Sequence, residues 1–461
     1  MADTITLPVR EKPALTESGG IGREGGRIPF GREMRKQFLF DENFVNLNHG
    51  SFGTYPKPVR DVMRQIQDRT EARPDAFIRY TYKDLLDEAR GAMSTLLNAP
   101  VETLVFVPNA TTGVNTVMRN LVFEPGDMIL YFTTIYGACE KTVEYITETT
   151  PAKAAKVQYT YPVSDDWLVS EFKKRVREEK EAGNRVKIAI FDTVVSLPGV
   201  RMPFERLTQA CKEEGMLSCI DAAHGVGHVE LDLGKLDPDF LVSNCHKWLF
   251  VPRGCAIFYV PVRNQYLLRS TLPTSHGFIP TPRPGQKITN PLPASTKSSF
   301  VTNFEFVGTI DNAPYLCIPA ALKFRESIGG EEAIRDYNTI LARTAAKRAA
   351  EAFGTEVLEN EEGTLGNCCL SNFRLPLKLE SVQAVVKKFE KEKENIESAV
   401  RDWMSLKMVE EYNTFLAIFF YGNSWWVRFS GQVYLELADF EWAISVLKKL
   451  CDRTLEGEFL K

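Results

Sequence analysis

The 461-residue chain is long enough for a large and a smaller domain, and its 44% hydrophobic composition allows a buried core in each. Its 56 basic and 60 acidic residues give a net charge of -4, which argues against nucleic acid as a partner. The nine scattered cysteines match neither a disulfide scaffold nor a zinc-binding pattern, so we expect free thiols, no metal site and a cytoplasmic location. No apolar run predicts a signal peptide or a membrane span.

The order of the predicted elements indicates an α/β protein of two domains. Glycines and charges near the N-terminus predict a flexible tail over residues 1–37. Short apolar runs then alternate with helix-like charged segments, at residues 104–107, 128–132, 186–191, 216–220, 240–242 and 256–260. This alternation predicts a mostly parallel sheet wrapped by helices, in a large domain over residues 38–300. Residues 301–461 predict a smaller α+β domain, with helices at 314–327, 331–353 and 381–403 and strands at 415–421 and 425–429.

Two charged side chains follow predicted strands of the large domain. Lys247 comes shortly after the strand at 240–242, and the carboxyl ends of strands are where open α/β sheets bind ligands. A lysine there can form a Schiff base, although a solvated charge is the commoner role. Asp221 ends the strand at 216–220, where its carboxylate could hold a protonated pyridine nitrogen or cap a helix.

A third segment offers a phosphate site. The sequence PNATTG at 108–113 follows the strand at 104–107 and opens a predicted helix with small and hydroxyl-bearing residues. Helix N-termini bind phosphate through their free N–H groups, although threonine also caps helices without any ligand. Gly225 and Gly227 are followed by Glu230 where a third glycine would be needed, so a dinucleotide fingerprint is absent.

Six short segments across nearly the whole chain form one pattern: NLNHGSFG (46–53), FVPNATTG (106–113), DAAH (221–224), CHKW (245–248), GTID (308–311) and RFS (428–430). Together they resemble the class V aminotransferase family, and within it the branch of isopenicillin N epimerase and the fungal hercynylcysteine sulfoxide lyases. The resemblance implies the type I fold of pyridoxal 5′-phosphate enzymes, with a seven-stranded, mostly parallel sheet.

The resemblance also implies the cofactor contacts. Lys247 would bind pyridoxal 5′-phosphate covalently, Asp221 would pair with its pyridine nitrogen, and Tyr136 would lie against the ring face. The other implied cofactor-binding residues are Ala110, Thr111, Thr112, Ser196, His224, Ser243 and His246. Gly308 and Thr309 resemble a segment that reaches the neighbouring subunit's phosphate site, which implies a homodimer with shared active sites.

A small amino acid is the implied substrate. Arg428 matches the arginine that binds the substrate carboxylate in this family, a task that suits a guanidinium fork, although a surface ion pair is the alternative. Asn48 and His49 would belong to the substrate pocket.

The family leaves the reaction open, because one cofactor supports several outcomes. A desulfurase needs a reactive cysteine shortly before the carboxylate arginine, and none occurs between Trp403 and Arg428. This argues against a desulfurase. The resemblance implies instead a carbon–sulfur lyase of ergothioneine biosynthesis that acts on hercynylcysteine sulfoxide, with Lys247 as the base and Tyr136 as the candidate acid or a stacking residue. The alternatives are an amino-acid epimerase, a cysteine desulfurase-like enzyme, and a binding protein that lost its chemistry.

Overall fold

The computed structural model describes residues 27–274, 278, 280, 281, 283–285, 295–390 and 394–461. Its strands are β1 Val45–Asn46, β2 Leu104–Val107, β3 Asp127–Phe132, β4 Lys153–Val157, β5 Arg185–Asp192, β6 Leu217–Asp221, β7 Phe240–Ser243, β8 Ala256–Tyr259, β9 Leu370–Arg374, β10 Thr414–Phe415, β11 Ala417–Tyr421 and β12 Ser424–Ser430.

The described α-helices of ten residues or more are Lys57–Ala72, Tyr82–Leu97, Ala110–Asn120, Gly137–Thr149, Asp165–Glu181, Phe204–Glu214, Ile318–Ser327, Gly330–Phe353, Leu379–Lys388, Ile396–Tyr412 and Leu437–Leu455. Shorter α-helices are Arg32–Arg35, His49–Phe52, Pro74–Ala76, Leu233–Leu236, Cys245–Trp248, Ser299–Glu305 and Ala313–Leu316, with a π-helical turn at Phe77–Thr81 and 3₁₀ turns at Val101–Thr103, Val262–Leu267 and Glu458–Leu460. None of these described helices is long and apolar enough to cross a membrane.

Seven of the strands form a central sheet, in the order β2-β8-β7-β6-β5-β3-β4. β8 runs opposite to the other six strands, which are parallel to one another, so the predicted mostly parallel sheet is confirmed. The central strands are continuous apolar runs because helices cover both faces of the sheet. The edge strand β4 was not predicted, since its first two residues are exposed and polar or small.

The strand register brings two acids to one edge of this sheet. Asp192 at the end of β5 lies opposite Asp221 at the end of β6. Asp221 in turn lies opposite Val242 of β7, the strand that leads to Lys247. Parallel strands end on the same side, so the three groups gather at the carboxyl edge.

The N-terminal segment packs against the C-terminal part of the chain. β1 pairs in parallel with β10, and the Gly31 N–H donates a hydrogen bond to the Val433 carbonyl at 2.7 Å. Residues 1–26 of the predicted tail lie outside the described residues. Residues 32–35 form a helix whose Met34 is fully buried, so the folded chain begins before Phe38. Burial of this methionine among apolar side chains stabilises the segment.

A three-stranded antiparallel sheet, in the order β11-β12-β9, carries Arg428 on its central strand. The predicted helix at 381–403 is two helices. The backbone of Glu390 has a positive φ of 50°, which is incompatible with a continuing right-handed helix. Asn395 then begins the second helix by accepting a hydrogen bond from the Ser398 N–H at 3.0 Å.

Candidate functional site

Lys247 lies at the carboxyl edge of the central sheet, in the one-turn helix Cys245–Trp248 that follows β7. Its Nζ is 3.0 Å from Nε2 of His224. Burial lowers the pKa of Lys247 to about 8, an effect that the Asp221 and Asp192 carboxylates oppose and the Arg428 charge reinforces. A substantial fraction of the amine is therefore unprotonated slightly above neutral pH, as a nucleophile or base requires.

Asp221 is a buried carboxylate held by two neighbours. Its Oδ1 accepts a hydrogen bond from the Ala223 N–H at 2.9 Å, and its Oδ2 accepts one from the Cys139 thiol at 3.1 Å. Asp192 lies beside it with one carboxyl oxygen unpartnered, and burial together with the Asp221 charge raises the pKa of Asp192. Sequence reasoning missed Asp192, although it follows the apolar run at 186–191 just as Asp221 follows its own strand.

The helix Ala110–Asn120 points its N-terminus at the same edge. Asn109 caps it, because its side-chain oxygen accepts hydrogen bonds from the Thr112 N–H at 2.8 Å and the Thr112 hydroxyl at 3.0 Å. The Ala110 N–H donates to the Asn244 side chain at 2.9 Å, which ties the helix to the turn that carries Lys247. Thr111 is half-buried at this end.

The predicted phosphate contacts from the Lys247 turn have protein partners of their own. The Ser243 hydroxyl accepts a hydrogen bond from the Val226 N–H at 2.9 Å. Nδ1 of His246 lies 3.1 Å from the Cys255 carbonyl and donates to it, and burial lowers the pKa of His246 to about 4. In the neutral ring, Nε2 of His246 is an acceptor. It must therefore gain a proton before it can donate a hydrogen bond to a phosphate.

Arg428 is fully buried and has no acidic partner among the described residues. Its Nη1 donates to the Ser196 carbonyl at 2.6 Å, and its Nη2 donates to the Asn48 side chain at 2.9 Å and to the Ser51 hydroxyl at 3.0 Å. Its Nε has no hydrogen-bond partner. Burial lowers the Arg428 pKa to about 10, which leaves the guanidinium charged at neutral pH. A buried cation surrounded only by neutral groups is costly, and an anionic ligand would offset that cost.

His49 supports the Lys247 main chain. Its Nε2 lies 2.6 Å from the Lys247 carbonyl and donates to it, while its Nδ1 accepts from the Tyr434 hydroxyl at 2.9 Å. Burial lowers the pKa of His49 to about 3. Both ring nitrogens are used within the protein, so the structure places His49 behind the lysine, whereas Asn48 contacts the arginine.

Tyr136 stands at the N-terminal end of the helix Gly137–Thr149, four residues after the end of β3, and is 49% exposed. An exposed ring at this edge is free to face a ligand. Gly308 and Thr309 occupy a turn between the helices Ser299–Glu305 and Ala313–Leu316, and Thr309 is exposed. Within the part of the chain that is described, no hydrogen bond joins this turn to Lys247, so its role stays a prediction.

The residues at this edge fit pyridoxal 5′-phosphate. A buried carboxylate suits a protonated pyridine nitrogen, a lysine of lowered pKa suits an aldehyde, and a capped helix N-terminus suits a phosphate. The unpartnered Nε of Arg428 is a buried donor that a substrate carboxylate could satisfy. No grouping of three His, Cys, Asp or Glu side chains suited to a metal ion occurs among the described residues.

Comparisons with known proteins agree with this geometry. The model of the family "Aminotransferase class-V" matches residues 56–390. The chain is 39% identical to the L-cysteine desulfhydrase-like protein lolT1 of Epichloe uncinata, over 94% of this chain and 98% of that protein. It is 29% identical to the hercynylcysteine sulfoxide lyase of Schizosaccharomyces pombe, over 92% and 98%. The structure of the cystine C-S lyase C-DES with cysteine persulfide superposes with a TM-score of 0.69 at 17% identity, over 89% and 98% of the chains.

Proposed function

The chain belongs to the class V aminotransferase family, and we propose that it is a carbon–sulfur lyase that acts on a cysteine S-conjugate. Its cofactor is pyridoxal 5′-phosphate. The specific substrate that we propose is hercynylcysteine sulfoxide, the substrate class in the name of one relative that aligns over nearly its whole length. Elimination would give ergothioneine sulfenic acid, pyruvate and ammonia, a step of ergothioneine biosynthesis.

One observation carries the proposal of an amino-acid substrate. The Arg428 guanidinium is buried, lacks an acidic partner among the described residues and keeps one donor unused. It lies near enough to Lys247 for its charge to lower the lysine pKa. A substrate carboxylate on Arg428 would therefore bring its Cα–H bond towards the Lys247 amine.

The chemistry follows from the roles of three side chains. Pyridoxal 5′-phosphate, when bound, supplies a sink for the electron pair left at Cα. Lys247 accepts the Cα proton, and Arg428 holds the carboxylate so that the Cα–H bond keeps its alignment. The Cβ–S bond breaks, its electron pair leaves with sulfur, and Tyr136 donates a proton to the departing oxygen. The released 2-aminoacrylate takes up water and gives pyruvate and ammonia.

The cysteines support elimination over transfer of sulfur to an enzyme thiol. All nine cysteines are buried and free. Burial raises the pKa of Cys368 to about 12, and it also raises the pKa of Cys369. Neither is a thiolate at neutral pH, and a thiolate is the form that attacks sulfur. The desulfurase-like alternative is therefore less favoured than the lyase, whereas the epimerase alternative depends on experiment.

A cavity of about 450 Å³ next to Asn48 supports a bulky, cationic conjugate. Its lining includes aromatic rings, one carboxylate and one guanidinium, those of Phe40, Phe44, Phe52, Phe415, Asp41 and Arg253. The Arg253 charge is engaged by the carbonyls of Phe52 and Gly53. Aromatic faces and a carboxylate suit a quaternary ammonium group, which hercynylcysteine sulfoxide carries. Asn48 also accepts a hydrogen bond from Arg428, so the cavity adjoins the proposed carboxylate site.

The proposal includes a homodimer in the cytoplasm. Gly308 and Thr309 of each chain would complete the phosphate site of the other chain, a role that their place on an exposed turn allows. Free thiols throughout the chain favour a reducing compartment. Light scattering on the purified protein tests the dimer, and a monomer with full activity would contradict shared sites.

The experiment that tests the function is an assay of pyruvate release by the purified protein with pyridoxal 5′-phosphate bound. The substrates are hercynylcysteine sulfoxide, S-methylcysteine sulfoxide and L-cysteine, and pyruvate is followed with lactate dehydrogenase and NADH. The Lys247→Ala variant is the negative control, because it lacks both the cofactor attachment and the base. We expect pyruvate from the sulfoxides, fastest with the hercynyl conjugate.

Each other outcome has a distinct meaning. Pyruvate and sulfide from L-cysteine alone would keep the carbon–sulfur lyase but replace the substrate with cysteine. No pyruvate from any of the three, together with exchange of the Cα proton in D₂O, would favour the epimerase. If the protein with its cofactor bound gives no pyruvate and no exchange of the Cα proton, the enzyme assignment is contradicted.

A further inference from the structure

The geometry points to Trp248 as a positioning residue: its indole N–H fixes the tautomer of His224, and His224 in turn favours the neutral form of the Lys247 nitrogen. Nε1 of Trp248 lies 3.0 Å from Nδ1 of His224. Nε2 of the same ring lies 3.0 Å from Nζ of Lys247. Trp248 and His224 are 1% and 2% exposed, so water does not compete for these bonds. The inference rests on the proposed role of Lys247 as the cofactor lysine.

The groups that can donate determine which nitrogen of His224 carries a proton. An indole nitrogen only donates, so Nδ1 of His224 must accept and carries no proton. A neutral imidazole keeps one proton, which is therefore on Nε2. A protonated ring would set two N–H groups against each other, and burial and the Lys247 and Arg428 charges lower the pKa of His224 well below its usual value.

The Nε2–H of His224 then faces the Lys247 nitrogen as a donor. A neutral amine has a lone pair that accepts this hydrogen bond, whereas an ammonium has none. The pair therefore stabilises the unprotonated nitrogen relative to the protonated one. That form of Lys247 attacks an aldehyde and accepts a proton, so the tautomer of His224 bears directly on the competence of the lysine.

Trp248 is held in place through its main chain and through its ring. Arg325 Nη1 donates to the Trp248 carbonyl at 2.7 Å, and the His228 ring stacks on the indole with 4.1 Å between centroids. His228 is fixed in turn, because its Nε2 accepts from the Cys369 N–H at 2.8 Å and its Nδ1 lies 3.1 Å from the His224 carbonyl. The Trp248 indole N–H is therefore fixed in position, and it determines the tautomer of His224.

Other charges face the same groups and must be kept constant in a test. Asp221 on β6 and Asp192 on β5 raise the pKa of Lys247, and Arg428 on β12 lowers it. The pKa of His224 is lowered by Arg428, His228 and His246. Trp248→Phe changes none of these residues and keeps an aromatic ring, while it removes the indole N–H together with part of a buried ring system, so a control with the same loss of volume is needed.

The first measurement reads the tautomer directly in the wild-type holoenzyme. The protein is labelled with ¹⁵N-histidine, and the spectrum has few signals because the chain has five histidines. The His224 signals are identified by their loss in His224→Gln. We expect a protonated Nε2 and an unprotonated Nδ1 from pH 6 to pH 9. A proton on Nδ1, alone or with Nε2, would overturn the inference.

The second measurement is a pH titration of the visible absorbance of the cofactor bound to Lys247. In Trp248→Phe the His224 ring is free to move its proton to Nδ1, so Nε2 becomes an acceptor and favours a protonated Lys247 nitrogen. We expect the midpoint to rise by about one pH unit, which is a tenfold gain in proton affinity. Trp425→Phe is the matched control, because Trp425 is also fully buried and its indole N–H donates to the Glu397 carbonyl at 3.1 Å instead of to a histidine.

An unchanged midpoint in a folded Trp248→Phe would contradict the inference, as would an equal shift in Trp425→Phe. If Trp248→Phe does not fold, the tautomer measurement on the wild-type protein still decides. Failure of the proposed function is separable, because it appears as visible absorbance retained in Lys247→Ala or as no pyruvate release. Neither of those results alters the ¹⁵N signals of His224.

Discussion

Nη1 of Arg428 lies 2.6 Å from the backbone carbonyl of Ser196, a residue 232 positions earlier in the chain. The contact joins the small sheet, which carries the arginine, to the loop that follows β5 of the central sheet. Gly199 in the same loop has no room for a side chain, because a Cβ there would lie 2.5 Å from Arg428 Cδ. The two sheets therefore build the proposed carboxylate site together, and the arginine is fixed before any ligand binds.

Arg428→Lys is expected to lower kcat/KM for pyruvate release by about 10- to 100-fold, because an ammonium cannot keep the three protein contacts of the guanidinium and also offer the Nε–H to a substrate carboxylate. Steady-state kinetics on the coloured variant measure the change. The matched control is Arg348→Lys, in which a surface arginine paired with Glu441 is replaced. Unchanged kinetics in Arg428→Lys would remove Arg428 from the substrate site.

Tyr136→Phe is expected to keep the visible absorbance while slowing elimination by about 100-fold, since only the proton-donating hydroxyl is lost. Absorbance spectra and pyruvate release on the same preparation separate the two effects. Tyr145→Phe, on the helix that follows Tyr136, is the control, because that exposed ring contacts Arg119. Full activity in Tyr136→Phe would leave the tyrosine with a stacking role alone.

Asp41→Asn is expected to raise KM for hercynylcysteine sulfoxide about fivefold and to leave KM for S-methylcysteine sulfoxide unchanged. The reason is that only the first substrate carries a quaternary ammonium group for the carboxylate and the neighbouring rings to bind. Asp61→Asn, on an exposed helix face, is the control. Equal effects on both substrates would show that the cavity does not select the cationic group.

His49→Gln is expected to flatten the pH dependence of stability below neutral pH. Burial lowers the His49 pKa to about 3 in the folded chain, whereas the unfolded histidine titrates near its usual 6.5. Between these values only the unfolded state gains the proton, so the free energy of unfolding falls as pH decreases from 6.5 towards 3.

The variant removes up to about 1.4 kcal/mol per pH unit of that slope. Urea unfolding of both proteins from pH 4.5 to pH 8 measures it. Above pH 7 the two slopes should agree, because the histidine is neutral in both states. Parallel slopes across the whole range would mean that His49 titrates in the folded protein as it does in the unfolded chain.

Much of the fold and part of the site follow from local sequence. Apolar runs fix β5, β6 and β7 within one or two residues, because strands covered on both faces must be apolar throughout. Side chains that directly follow such strands then meet at one sheet edge, which is why Lys247 and Asp221 were predictable together. The helix that begins at Ala110 comes shortly after β2, so its N-terminus was predictable at the same sheet edge.

The contacts that set the state of those residues were not predictable. Trp248 donates to His224, His49 donates to the carbonyl of Lys247, and Arg428 reaches Asn48 across 380 positions of sequence. Periodicity and strand ends determine which elements form and where their ends gather. Which donor meets which acceptor depends on how the packed elements orient their side chains, and only the tertiary structure decides that, because each such contact joins residues whose local sequences are independent.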